Sequence, residues 1–258
     1  MKYFVTSDLH GFFKEFKDAL DKAGYDYLNK NHILVICGDI FDRGKEALEV
    51  YTFLKKIPKD NLIMIRGNHD YLFMDLVDKD KPSSNDIEDG TFDTLVQLSK
   101  IRDDFHQIKN SNIIKEVYEW MKNEWKAYYE VGNYIFTHSF IPLRIKDSCK
   151  DLNDIDIYND LYYDPSWRNI TDPFLLRKCA FDSSWRKYDA GYFNEEAKKG
   201  KVIVCGHTHS YEFFKGLDHK VYLDNNKDYG IYKKSHVINL DGNVEKSGII
   251  NVLVIDED

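Results

Sequence analysis

No apolar run in this sequence is long enough to cross a bilayer; stretches of about 18 or more such residues are missing, so no membrane span is expected. Cysteine is scarce. The four cysteines, at 37, 149, 179 and 205, form no C-x-x-C pair. That spacing argues against a disulfide framework and for reduced thiols. Cys37 and Cys205 each close an apolar run and read as small buried hydrophobes. A basic excess is also lacking. The formal net charge is −8, whereas non-specific binding to nucleic acid needs a basic face. Residues Met1 to Ser7 hold no apolar signal core, so cytoplasmic residence is expected. There is no internal repeat and no low-complexity tract.

What is present is enough for a core. Of 258 residues, 43% are hydrophobic, which fits one large domain or a domain carrying an insertion. Short apolar runs at 3–6, 33–37 and 62–65 alternate with helical spacing at 12–23, 45–56 and 71–77. This β-α-β-α-β order argues for strands buried on both faces. Residues 78–90 read as a polar surface loop, and 91–101 and 113–126 as helices. Segments 128–131 and 134–137 flank Gly132-Asn133 as a hairpin. Residues 140–200 carry no clear period and read as an insertion or cap. Runs at 202–205, 237–240 and 249–255 read as further strands.

Polar residues gather where these strands end. Asp8 and His10 follow the first, Asp39 and Asp42 the second, and Asn68, His69 and Asp70 the third. His138 follows the hairpin, and His207 and His209 follow the run at 202–205. In open α/β sheets that edge is where ligands bind. Carboxylate and imidazole groups suit first-row divalent metals such as Mn, Fe, Zn or Ni. The set exceeds the needs of one ion, and a carboxylate such as Asp39 can bridge two. Two ions about 3.5–4 Å apart clamp an in-line displacement at phosphorus, with a bridging hydroxide as nucleophile. Such chemistry also needs a proton donor and cations for the phosphate oxygens. His69, oriented by Asp42, suits the first task, and Arg43 the second.

The stretches DLHG, GDIFDRG, RGNHD, THS and GHTH occur in this order between residues 8 and 209. Together they resemble the calcineurin-like metallophosphoesterase superfamily, in its phosphoprotein-phosphatase branch. That branch includes Ser/Thr phosphatases and diadenosine tetraphosphate hydrolases. The resemblance implies an α/β fold: a β-sandwich of mixed sheets flanked by helices, four layers in all. It implies a binuclear centre in which Asp8 and His10 hold one metal, Asp39 bridges, and Asn68, His138 and His207 hold the other. His209 matches a further ligand of the wider superfamily. It also implies His69 as general acid with Asp42, and Arg43 on phosphate. Arg66 is expected to bind phosphate or brace the site, and DSSWRK at 182–187 resembles the segment that supplies a second arginine, here Arg186. The sequence departs from the common pattern in having Ser7 before the first Asp, Asp70 in place of Glu, and no glycines after THS.

The expected function is a phosphoesterase using two divalent ions, first of all on phosphoproteins or simple phosphomonoesters. A dinucleoside polyphosphate or cyclic nucleotide hydrolase is the alternative. A non-catalytic metal-binding module ranks below both, because no ligand and no His69 has been lost.

Overall fold

The computed structural model describes residues 1–257 other than 148, 150–154 and 224–226. Its strands are β1 (Lys2–Thr6), β2 (His32–Cys37), β3 (Leu62–Ile65), β4 (Tyr128–Val131), β5 (Tyr134–Thr137), β6 (Arg144–Ile145), β7 (Leu161–Tyr162), β8 (Val202–Cys205), β9 (Tyr232–Lys234), β10 (Val237–Asn239) and β11 (Leu253–Asp256). Its helices are α1 (Phe13–Ala23), α2 (Ala47–Leu54), α3 (Asn68–Asp78), α4 (Ser84–Glu88), α5 (Thr91–Ser99), α6 (Phe105–Asn110), α7 (Asn112–Glu124), α8 (Pro173–Lys178), α9 (Ser184–Asp189), α10 (Asn194–Lys198), α11 (Ser210–Gly216) and α12 (Val244–Ser247).

One sheet runs β11-β1-β2-β3 and the other β4-β5-β8-β10-β9, with β6 and β7 paired apart. Strands β1, β2 and β3 are parallel, with Val5 opposite Val35 and Val35 opposite Ile63. Strands β5, β8 and β10 are parallel in the same way. Successive residues of a strand face opposite sides, and the runs divide accordingly. Tyr3, Val5, Ile33, Val35 and Cys37 meet Phe136, Val204 and Ile238 of the second sheet. Phe4, Leu34, Ile36 and Met64 point the other way, onto Phe16, Val50, Leu95 and Val117 of α1, α2, α5 and α7. Each such side chain, fully buried, contributes about 1.5–3 kcal/mol. The result is the four-layer sandwich of helices and mixed sheets, and Cys37 and Cys205 are buried in it.

The elements read from periodicity are present, with shifted ends. Helix α1 stops at Gly24, which takes φ 79° and donates its N–H to the last turn. The expected loop at 78–90 contains α4. There Ser83 accepts the Asp86 N–H and the Asp86 carboxylate accepts the Ser83 N–H, a reciprocal cap that lets a polar stretch form a turn of helix. The strand expected at 249–255 begins only at Leu253.

The described residues of 140–200 pack Phe140, Leu143, Trp167 and Phe193 on the outer face of the second sheet, against Ile135, Ile203 and Val237. At the centre of this layer the Glu196 side chain is fully buried. It accepts from Tyr163 Oη at 2.6 Å, from Arg168 Nη2 at 2.9 Å and from Lys199 Nζ at 2.9 Å. Burial favours the neutral acid, but these donors outweigh it and hold the Glu196 pKa well below the ordinary value. The stabilisation is therefore complete above the unfolded glutamate pKa, about 4.3, and fades as pH falls below it. Glu196→Gln is expected to lower stability by about 1.5–3 kcal/mol in urea unfolding at pH 7. The difference should shrink as the measurement moves below about pH 4.

Candidate active site

The two groups of parallel strands deliver their C-terminal ends to one edge. Hydrogen bonds cross between the sheets there: His138 Nδ1 donates to Cys37 O at 2.7 Å, and His207 N–H meets the Asp8 carboxylate at 3.1–3.2 Å. The turns after the strands are sharp. Asp8, His10, Asp39, Asp42, Arg43 and His207 all hold φ between 46° and 74°. Left-handed backbone costs a non-glycine residue about 1–3 kcal/mol and gathers at functional sites. Asp70 sustains one of these turns. Its carboxylate accepts the N–H groups of Gly67, Asp39 and Ile40 at 2.7, 2.9 and 3.2 Å. Burial and the Asp39 charge push the Asp70 pKa up to about 8 against the pull of those donors.

The expected helix at 71–77 starts earlier, at Asn68, so Asn68 and His69 form its first turn with Asp70 closing the cap. Gly67 precedes it with φ −93°, an ordinary value. Glycine is needed there because a Cβ would collide with the Asp39 carboxylate.

Around Asp39 the groups are mostly acceptors. His138 gives its Nδ1 proton to Cys37 O, which leaves Nε2 as the acceptor of the neutral ring. That Nε2 lies 2.9 Å from Asn68 Oδ1, 3.2 Å from His207 Nδ1 and 3.4 Å from Asp39 Oδ1. His207 Nδ1 is 2.8 Å from the same Asn68 oxygen. Acceptors this close repel unless a cation or proton lies among them. Burial pulls both His10 and His207 down to about 3, leaving neutral imidazoles, the form that binds metal. Burial, Asp241 and Asp39 drive Asp8 well above the usual carboxylate range. Burial also acts on Asp39, but His138, His69, His10 and His207 hold it well below. The donor set therefore fits a divalent metal. Among the described residues two clusters have ligand atoms within 4.8 Å of one another, and they share Asp39: one adds His10 and His69, the other His138 and His207. Asp8 and His209 fall outside both clusters.

His69 lies within the first cluster, yet both of its ring nitrogens have side-chain partners. Its Nδ1 meets Asp42 Oδ2 at 2.9 Å, its Nε2 meets Arg43 Nη2 at 3.1 Å, and its N–H donates to Asp39 Oδ1 at 2.9 Å. Burial opposes the imidazolium, yet Asp39 and Asp42 together raise the His69 pKa above its ordinary value.

Two expected phosphate ligands lie differently. Arg66 donates Nη2 to the carbonyls of Trp125 and Lys122 at 2.8 and 3.3 Å, and its guanidinium lies over Tyr71. It braces β3 against the end of α7 rather than facing the His69 imidazole. Arg186 is exposed, with its guanidinium over the Trp185 ring. Its helix α9 does reach the site: Ser184 Oγ donates to Gly206 O, and Ser184 N–H donates to Thr208 Oγ1, both at 3.1 Å.

Asp241 was not anticipated. It follows β10, and its Oδ2 lies 3.0 Å from His209 Nδ1, turning the other ring nitrogen free. The signal was available: the strand-like run 237–240 is followed directly by an aspartate, as the run 33–37 is after one glycine. Thr91 and Thr94 were also missed. Their hydroxyls donate to Asp42 at 2.7 and 2.9 Å.

The family model for calcineurin-like phosphoesterases matches residues 1–211. The chain belongs to the calcineurin-like phosphoesterase family. Among the relatives of this family member is a symmetrical bis(5'-nucleosyl)-tetraphosphatase of Nitrosospira multiformis, 29% identical over 140 residues, which are 54% of this chain and 43% of that protein. A protein of the same name from Haemophilus ducreyi is 38% identical over 94 residues, 36% of this chain and 33% of its own. The matched stretch spans less than half the length of these curated relatives. The fold is shared with a cold-active protein-tyrosine phosphatase of a psychrophilic Shewanella at TM-score 0.56 and 16% identity, over 99% of this chain and 75% of that one. Among the described residues no helix is long and apolar enough to cross a membrane.

Asp241→Asn would turn an amide N–H towards His209. Metal affinity is expected to fall about 10–100-fold, read by titration calorimetry, with the fold retained.

Proposed function

We propose that this chain is a metal-dependent phosphoesterase whose substrates are dinucleoside polyphosphates, cleaved at a phosphoanhydride bond in the polyphosphate bridge. The carrying observation is the buried Asp39 carboxylate flanked by the His138, His207 and Asn68 acceptors, with the Asp42–His69 pair alongside. The dinucleotide comes from the sequence relatives, named for tetraphosphatase activity. Phosphoprotein hydrolysis, the first expectation from the motifs, has less support. The neighbour titled a protein-tyrosine phosphatase shares the fold at 16% identity and nothing further.

In this reading Asp39, Asn68, His138 and His207 would hold one divalent ion, and Asp8, His10, Asp39 and His209 would hold a second. Bound there, first-row ions such as manganese would supply a nucleophilic hydroxide and polarise the phosphoryl oxygens. The chain's own residues do the rest. Arg43 takes the phosphate oxygens through its planar fork. Its present contact with His69 Nε2 is incompatible with a proton on that nitrogen, since both would be donors. Phosphate oxygens that attract Arg43 free Nε2 to carry a proton. His69 then gives that proton to the leaving oxygen while Asp42 steadies the ring through Nδ1. The intact pair is what a purely metal-binding module would not require.

Purified protein with manganese is expected to split diadenosine tetraphosphate into nucleotides, and a chelator should abolish this. A protein that binds metal and hydrolyses p-nitrophenyl phosphate but leaves the dinucleotide intact would overturn the substrate class. Hydrolysis of neither would overturn the enzyme reading. Arg43→Ala should raise KM about tenfold or more through loss of charge-assisted bonds. Arg66→Met should lower the melting temperature and leave KM unchanged.

A further inference from the structure

Asp42 has a side chain with no solvent exposure, and both of its oxygens are occupied. Oδ2 accepts from His69 Nδ1 at 2.9 Å and from Thr91 Oγ1 at 2.7 Å. Oδ1 accepts from Thr94 Oγ1 at 2.9 Å, and the same hydroxyl accepts the Asp42 N–H at 3.0 Å. Both threonines are fully buried. They stand three residues apart on α5 and so share one face of it. Gln97 continues that face. Its Nε2 donates to Gly44 O at 2.9 Å, and its Oε1 accepts the Ala47 N–H at 3.0 Å. One helix face thus holds the whole turn from Asp42 to Ala47. The close approach depends on Gly90, the residue before α5, where a Cβ would lie 2.6 Å from Arg43 N.

We propose that Thr91 and Thr94 are positioning residues for proton donation, acting through Asp42 on His69. The inference rests on the reading of His69 as the proton donor. A carboxylate held by one imidazole alone can turn about its side-chain bonds. A hydroxyl on each oxygen fixes the carboxylate plane. The imidazole is then locked with Nδ1 towards Asp42 and Nε2 towards the leaving group. Neither threonine touches a group proposed to hold metal, so the two functions are separable.

The test compares leaving groups. A p-nitrophenolate departs as the anion with little help, whereas phenolate needs a proton in the transition state. In the full chain, Thr91→Val with Thr94→Val should lower kcat for phenyl phosphate about tenfold or more, and kcat for p-nitrophenyl phosphate far less. KM and bound metal should stay at the wild-type level. Thr91→Ser with Thr94→Ser keeps both hydroxyls and should restore phenyl phosphate turnover. His69→Asn should give the same leaving-group signature in stronger form. An equal loss on both esters, or no loss on either, would overturn the proposal. If the double valine variant does not fold, the single Thr94→Val variant carries the same comparison with the same outcomes. A wild-type protein inactive on both esters and on diadenosine tetraphosphate instead overturns the phosphoesterase reading. One active on the dinucleotide alone should lose kcat on it about tenfold in the double valine variant and regain it in the double serine variant, and unchanged kcat there would equally overturn the proposal.

Discussion

The structure depends on placing one buried carboxylate, Asp39, among groups that keep it ionised despite its burial. Asp39 sits at the end of a central strand, almost without solvent. Its side chain faces His10 and His138 and accepts the His69 N–H. A charge in that position is costly unless opposite charge or donors surround it. The neighbours obey this demand. Gly67 is side-chain-free because Asp39 fills the space, and Asp70 fixes the backbone at Asp39. The imidazoles beside it are kept neutral or engaged in defined bonds. An ionised carboxylate beside the Asn68, His138 and His207 acceptors is what makes the site fit for a cation.

Strain and precision go together here. Six residues around the site hold left-handed backbone, and the glycines between them tolerate contacts that no side chain could. Such turns are unfavourable in isolation. They persist because strands of two stacked sheets determine where each turn begins, and because carboxylates such as Asp70 and Asp241 accept buried backbone N–H groups of the turns. The rigid sandwich supplies the location, and the turns supply the direction of each side chain.

Much of this was legible in the amino-acid pattern. The runs before Asp8, Asp39 and Asn68 are continuous and apolar, so the parallel strands and their shared edge could be read directly. The motifs marked His69, Asp42 and Arg43, which the fold brings within hydrogen-bond distance. The layer built from residues 140–200 was not legible. Its helices span five or six residues, too few for a period to emerge, and its centre is the ionised side chain of Glu196. Thr91 and Thr94 were hidden because hydroxyls on a helix look like surface, and only the contact with Asp42 reveals their direction. Arg66 was misread in part because it adjoins the GNHD turn. Its neighbours in space are the carbonyls ending α7, almost sixty residues on.

The bond between His207 N–H and the Asp8 carboxylate joins positions 199 residues apart, and His138 and Cys37 are 101 apart. Contacts of such span carry a large loop-closure entropy cost. No early fragment of the chain can assemble the site, since each sheet contributes only half of it. A cation that binds there recognises only the finished fold. Its binding energy therefore adds to the stability of the entire sandwich rather than to one loop. Metal supply would then govern how long the protein survives as well as whether it is active.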